Sequence, residues 1–291
     1  FREDHGLVIV TENLLPSFLD QVEGDFRQNK PQVNCIAVDD KADPKTARVL
    51  AGMIRNIHYQ SQAESIHDEA FMMALSSSYG CWRVNTQFED AMSWNKEIVI
   101  EPIENHLAVR WDMTCKKFDT SDKRWTMIQS TMRKDAYEKK YGEKNPAVSV
   151  RQAKGTDMEG WFLDDAVRVA EYWRIEDKDT PIVLLNDGSV IKKNEFAAAQ
   201  LASGGMLQIM DERVTQIPEV SSCIINGEKI LEGPFLWPGK YIPIPICFGK
   251  RLNLNGKLKL KSLIRDAKES QRMHNYLISS MVQGVAMQTK T

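Results

Sequence analysis

A chain of 291 residues that is 42% hydrophobic and 27% charged has room for two folded domains, or one with an extension, and is not a disordered polymer. Its 38 basic and 40 acidic side chains leave a net charge of -2, which excludes a chain-wide electrostatic footprint for nucleic acid. No apolar run reaches the roughly 18 residues of a membrane-spanning helix, so none is expected.

In chain order, Leu14 to Gln28 reads as an amphipathic helix, with Leu15, Phe18, Leu19, Val22 and Phe26 at helical spacing and Pro16 where a first turn tolerates proline. Val33 to Val38 is a strand candidate, and Asp39 to Pro44 a solvated loop whose Asp43-Pro44 predicts an N-cap and N1 for a second helix to Gln60. A third helix is expected from Ser61 to Ser77, with Ile66, Ala70, Met73 and Ala74 on one face. The pattern then alternates. Cys81 to Phe88 and Glu97 to Ile103 predict a hairpin, and Ala108 to Asp112 and Trp125 to Ser130 further strands. A helix over Lys134 to Tyr141 precedes a weakly patterned stretch, Asn145 to Met158, expected to be a linker with an internal segment missing near Val148 to Gly160.

A second β-rich block begins with Val167 to Ile175 and continues in Pro181 to Leu185, a turn at Asn186 to Ser189, and a helix over Asn194 to Ala202. Strands are expected at Arg213 to Ile217, Ser221 to Ile225 and Glu228 to Leu231. The rigid Ile242-Pro243-Ile244-Pro245-Ile246 leads through Phe248-Gly249 and a polar turn at Asn253 to Gly256 into a long helical pattern from Leu258. On that pattern Lys261, Arg265, Lys268 and Arg272 fall on one stripe, with Lys257 just before it. The stripe is either a solvated face paired with Asp266 and Glu269 or a surface for phosphates or an acidic neighbour. Leu260, Leu263, Ile264, Ala267, Leu277, Ile278, Met281 and Val285 form an apolar face opposite, expected to pack.

The chemistry-bearing residues give little. Cys35, Cys81, Cys115, Cys223 and Cys247 are odd in number and lack zinc-ligand spacing, so buried thiols in a reducing compartment are expected. His58 and His67, nine apart, do not share a helical face, and with Glu64 read as exposed polar residues. Asp39, Asp40 and Asp43 lack the glycine and glutamate of a calcium loop. No phosphate-cradling glycine loop or catalytic constellation stands out, so no metal, cofactor or enzymatic activity is expected. The start, Phe1-Arg2-Glu3-Asp4, has neither methionine nor signal-peptide profile, and a cut piece of a longer protein is expected.

Several separated motifs nevertheless agree with one family. These are Gly80-Cys81-Trp82-Arg83-Val84, Glu101-Pro102-Ile103, Arg110-Trp111-Asp112, Ser121-Asp122-Lys123-Arg124 and Ala170-Glu171-Tyr172. Ile242-Pro243-Ile244-Pro245 with Phe248-Gly249, Arg265-Asp266-Ala267-Lys268, Gln271-Arg272, Asn275 and Ser279 follow. In this order the chain resembles the portal proteins of short-tailed, podovirus-type bacteriophages and their prophage relatives. The resemblance implies an α+β fold with a wing-like domain over 1–160, a β-rich clip-like region over 161–250 and a stem helix over 251–291, and a family that continues into a tunnel segment and a helical crown. It also implies a homo-oligomeric ring, usually dodecameric, at a capsid vertex of the virion, assembled in the host cytoplasm. Double-stranded DNA would pass through it, the terminase and then the head-to-tail adaptor would dock on it, and scaffold and capsid proteins would surround it. Such a ring has no catalysis, cofactor or membrane partner. The competing reading is an accessory or catalytic subunit of a nucleic-acid-processing complex.

Overall fold

The computed structural model describes residues 2–38, 42–142 and 166–288. The Asp39 and Asp40 loop, the Asn145 to Met158 linker and the Val148 to Gly160 stretch lie outside these residues, wholly or in their decisive part. The chain forms two compact units, one from Phe1–His106 with Pro243–Thr291 and one from Leu107–Ile242. These divide the chain elsewhere than the three expected segments, because the strand after residue 245 returns to pair with the first hairpin, while 109–133 joins the sheet of the second block.

The first unit holds α1 (Leu15–Gln28), α2 (Pro44–Gln60) and α3 (Ala63–Ser77). Asp43 caps α2 as its position predicts, its carboxylate accepting from Lys45 N at 3.0 Å and Thr46 N at 3.3 Å. Val33 to Val38 forms no strand. No ladder is offered to it among the described residues, and Ile36 and Val38 lie exposed. β1 (Tyr79–Phe88) and β2 (Lys96–Pro102) make the expected antiparallel hairpin. β1 also pairs with β9 (Ile246–Phe248), which fixes the proline-rich run against the first hairpin.

This three-stranded sheet lies on α3, whose buried Ala63, Ala70 and Ala74 let backbone approach closely. Phe26 of α1 stacks on Phe71 at 4.1 Å between centroids. The turn at Ser61 and Gln62 folds α3 back on α2. His58 and His67, expected to be exposed and apart, therefore meet half-buried with centroids 5.6 Å apart, and His67 lies 4.8 Å from Trp82. Burial, then the nearby His58, holds His67 below the usual imidazole range.

The second unit is built on one sheet, ordered β3 (Val109–Trp111), β4 (Trp125–Arg133), β5 (Ala166–Leu185), β7 (Ile209–Ile225) and β8 (Ile230–Trp237), with β6 (Val190–Lys192) pairing β5 and with α4 (Lys134–Tyr141) and α5 (Phe196–Ala202). The two strands expected at Val167 to Ile175 and Pro181 to Leu185 are one, β5, and the two expected over 213–225 are likewise one, β7. The polar run Glu176 to Asp179 is part of a β5–β7 pairing continuous from Ala170↔Ile225 to Thr180↔Thr215 and beyond. Pro218 lies past the end of the β8 ladder, where an unpaired edge tolerates proline.

Tyr137, Tyr141, Val167 and Val169 form a core cluster in this unit. Beside it the buried Asn226 donates to Tyr137 Oη at 2.8 Å and accepts from the backbone of Glu228 and Lys229. Cys81, Cys115 and Cys223 are buried thiols as expected, and Cys35 and Cys247 are partly covered.

Candidate subunit and nucleic-acid interface

The segment after β9 departs from expectation. Instead of one helix from Leu258, the chain makes an antiparallel hairpin, β10 (Lys250–Leu254) and β11 (Lys257–Lys261), before α6 (Leu263–Met287) begins. Lys-Leu-Lys-Leu-Lys has a period of two, and Asn255 (φ 52°) with Gly256 (φ 75°) closes the two-residue loop. Ser262 then caps α6, accepting from Arg265 N at 3.1 Å.

The predicted stripe is therefore split. Lys257 and Lys261 lie on β11, with Lys261 opposite Lys250, while Arg265, Lys268 and Arg272 lie exposed on α6. Lys261 Nζ meets Asp266 at 2.7 Å, holding that carboxyl below its usual range, and Arg272 meets Glu269 at 2.8 Å. Both are surface pairs, which solvent and salt screen, so they hold little of the fold together. The hairpin itself carries Lys250, Arg251, Lys257, Lys259 and Lys261 and no acid. Sequence spacing alone groups these five as a basic cluster without placing them on one hairpin. The Asn-Gly turn is the signal for it.

Besides part of the expected apolar face, α6 covers a polar one that the sequence reading does not anticipate. An extended strap, residues 8–14, runs along it. Val10 N donates to Ser279 Oγ at 3.0 Å, Glu12 N to Asn275 Oδ1 at 3.2 Å and Leu14 N to Gln271 Oε1 at 3.1 Å. Gln271 Nε2 returns a hydrogen bond to Glu12 O, and His274 Nε2 pairs with Glu12 Oε2 at 3.1 Å. The registry is arithmetic: two residues of extended chain advance about 6.6 Å and four of helix about 6.0 Å. The strap's backbone amides and carbonyls need polar partners, and these positions supply them. Arg2 closes the end, bonding Ser280 Oγ and Val8 O with its guanidinium 4.8 Å from the Tyr276 ring.

Of the expected apolar face, Ile264, Ala267 and Ile278 are partly covered and Leu260 sits on β11. Leu277, Met281 and Val285 continue Met273 as a ridge at intervals of four, each more than half exposed.

The remaining predicted residues sit in tight local structure. A Cβ on Gly80 would collide with the Ala70 carbonyl oxygen. Arg83 faces Glu101 across the β1–β2 ladder, with Nε 2.7 Å from Oε2. The Pro243 carbonyl accepts from Val84 N at 2.9 Å, and Pro245 follows half-covered. Trp111 is buried on β3. Asp112, 7% exposed, accepts from Thr114 N and Oγ1 and from Arg124 N. Asp122 accepts from Lys116 N and Lys117 N, and Ser121 N donates to Asp119 Oδ1. These carboxylates tie the 112–124 loop. Among the described residues no group of three or more His, Cys, Asp or Glu could hold a metal.

A family model described as phage P22-like portal protein matches residues 2–291. The chain belongs to that portal protein family. A portal protein of Acyrthosiphon pisum secondary endosymbiont phage 1 is 23% identical over 288 residues, covering 95% of this chain and 40% of its own length. The chain thus spans well under half of that portal relative.

Within this portal family member, the motif residues fall into two physical kinds. Gly80, Trp82, Arg83, Pro243 and Pro245 hold the first sheet on α3, whereas Asp112, Ser121 and Asp122 close a loop in the other unit. Asn275 belongs to neither and holds the strap. Asp112 gives a pH prediction. Burial pushes its carboxyl up, but hydrogen bonds from Thr114 and Arg124 outweigh this and hold it below the usual aspartate value. A lowered carboxyl contributes stability that is present above the unfolded value and lost as pH falls through the folded one. Asp112→Asn therefore destabilises at neutral pH, and its deficit shrinks below about pH 4. Thermal melts of both proteins across that range check this, and a deficit independent of pH defeats it.

Proposed function

We propose that the chain is the wing, clip and stem portion (1–160, 161–250 and 251–291) of a portal ring at the capsid vertex. The full-length ring, dodecameric in this reading, conducts double-stranded DNA during packaging and ejection. It docks the terminase and later the head-to-tail adaptor, and touches scaffold and capsid proteins. It assembles in the host cytoplasm, resides in the virion and performs no catalytic step. The observation that carries this is membership of a structural portal family along the described chain. The uncovered ridge Met273, Leu277, Met281 and Val285 supports it, because in a ring each copy has neighbours to bury such a face.

The basic residues take the DNA-facing or neighbour-facing role. Lys257 and Lys261 on the hairpin and Arg265, Lys268 and Arg272 on α6 add local positive charge to a chain of net charge -2. A conduit gains from this arrangement, since every phosphate neutralised adds affinity and therefore drag. Negative-stain images and native mass spectra of the full-length protein are expected to show closed rings of many copies. A monomer or dimer with nuclease or ATPase activity overturns the reading. With those five residues changed to alanine, packaging or assembly is expected to fall, and unchanged values for both remove the stripe's role.

A further inference from the structure

The β10–β11 hairpin holds five basic residues between 250 and 261 and no acid, whereas α6 interleaves Arg265, Lys268 and Arg272 with Asp266 and Glu269. The register sorts the five. Lys250 faces Lys261, Leu252 faces Lys259 and Leu254 faces Lys257, so four lysines share one side of the hairpin with two leucines between them. The other side carries Arg251, Leu258 and Leu260, all partly covered, with the Arg251 guanidinium 5.7 Å from the centre of the Phe248 ring. The hairpin is thus held by that side and turns its lysine side outward, where Lys250, Lys257 and Lys259 are exposed. One acid approaches the row. Asp266 meets Lys261 at 2.7 Å and feels the charge of Lys250, but Lys250, Lys257 and Lys259 make no ion pair among the described residues. Like charges set directly opposite, as Lys250 and Lys261 are, weaken a hairpin, and a polyanion lying along the row offsets that cost.

We propose that the lysine side of the β10–β11 hairpin is a sequence-independent contact for the phosphate backbone of double-stranded DNA, and that it contributes more phosphate contacts than the α6 stripe. This rests on the conduit reading, which supplies the DNA, and names the element that touches it. Lys257, Lys259 and Lys261 stand two residues apart on β11, a row of about 13 Å. A duplex carries one negative charge per about 1.7 Å of axis, so that length presents about eight phosphates, and some lie within reach in any register. The choice of lysine argues against an acidic protein surface as the partner. A lasting carboxylate contact favours arginine's two-donor fork, whereas lysine is a strongly hydrated point charge on a flexible stem. Such a row exchanges one phosphate for the next, so the charges that hold the duplex also let it advance.

Salt titration of binding to a fluorescent duplex of scrambled sequence tests the contact in the full-length protein. Lys250→Gln, Lys257→Gln and Lys259→Gln together are expected to weaken binding about tenfold or more at about 50 mM salt, and to flatten the slope of log affinity against log salt by about 2 to 3. Arginine at the same three sites should keep the slope, and a duplex of unrelated sequence should respond alike. Arg265→Gln, Lys268→Gln and Arg272→Gln together should flatten it less. An unchanged slope in the hairpin variant overturns the proposal, as does a larger change in the α6 variant. So does a hairpin variant that binds DNA normally yet assembles poorly, which would give the row to a neighbouring copy. Native mass spectra of the same samples keep the two readings apart. Wild-type rings with an unchanged slope defeat this contact alone, and absence of wild-type rings defeats the conduit reading whatever the slope.

Discussion

Gly80→Ala is expected to destabilise the first unit by about 3 kcal/mol or more, and Gly80→Val to prevent its folding. Gly80, the second residue of β1, lies opposite Cys247 of β9, and an added Cβ would meet the carbonyl oxygen of Ala70. Ala70 cannot retreat, being 2% exposed at the middle of a helix whose Ala63 and Ala74 are fully buried. The neighbouring Gly249 repeats the constraint against Ala74 O, and its N–H donates to Ser78 O at 2.9 Å. Two glycines and three alanines thus set the distance between sheet and α3. Gly24, where an added Cβ would meet nothing within 4 Å, supplies the contrast. In mid-helix, Gly24→Ala should gain about 0.5–1 kcal/mol. Denaturant unfolding separates the two, and equal midpoints for both variants would sink the close-packing account.

What the sequence makes legible here follows from which forces act locally. Helical periodicity and the Asp43-Pro44 cap define α1 to α3, and alternation defines the β1–β2 hairpin, because each pattern reports a face against a nearby neighbour. The ribbon of β5 and β7 defeats that logic. Over Glu176 to Asp179 it is exposed, so no apolar alternation marks the strand, and only distant pairing reveals it. β11 has a readable alternation that a second pattern hides: Lys261, Arg265, Lys268 and Arg272 happen to sit at helical spacing across a strand-to-helix boundary. His58 and His67 are nine apart on two helices, and only the turn between them brings them together. The polar face of α6 has no local signal at all, because its partner lies more than 250 residues earlier.

That polar face gives the second large effect. Changing Gln271, Asn275 and Ser279 together to alanine removes every side-chain acceptor for the amides of Val10, Glu12 and Leu14. Each such bond is worth about 0.5–1.5 kcal/mol net, so the triple variant should lose about 3 kcal/mol of strap docking. Hydrogen exchange at those three amides is then expected to speed up about a hundredfold, while amides of β5 and β7 keep their protection. Alanine is the better helix former at each site, so α6 itself should not weaken. The apolar alternative predicts something different. If the strap were held by Val8 and Ile9, the triple variant would leave exchange unchanged, yet the two residues are 39% and 55% exposed. Asn275→Asp sharpens the comparison, since a carboxylate still accepts from Glu12 N but faces the carboxylate of Glu12 and the pair it forms with His274 at 3.1 Å. Exchange at Glu12 should rise in Asn275→Asp less than in Asn275→Ala at low pH, where the carboxylates are protonated, and the order should tighten or invert at neutral pH. An identical response of the two variants at both pH values would mean that the amide acceptor is not what holds the strap.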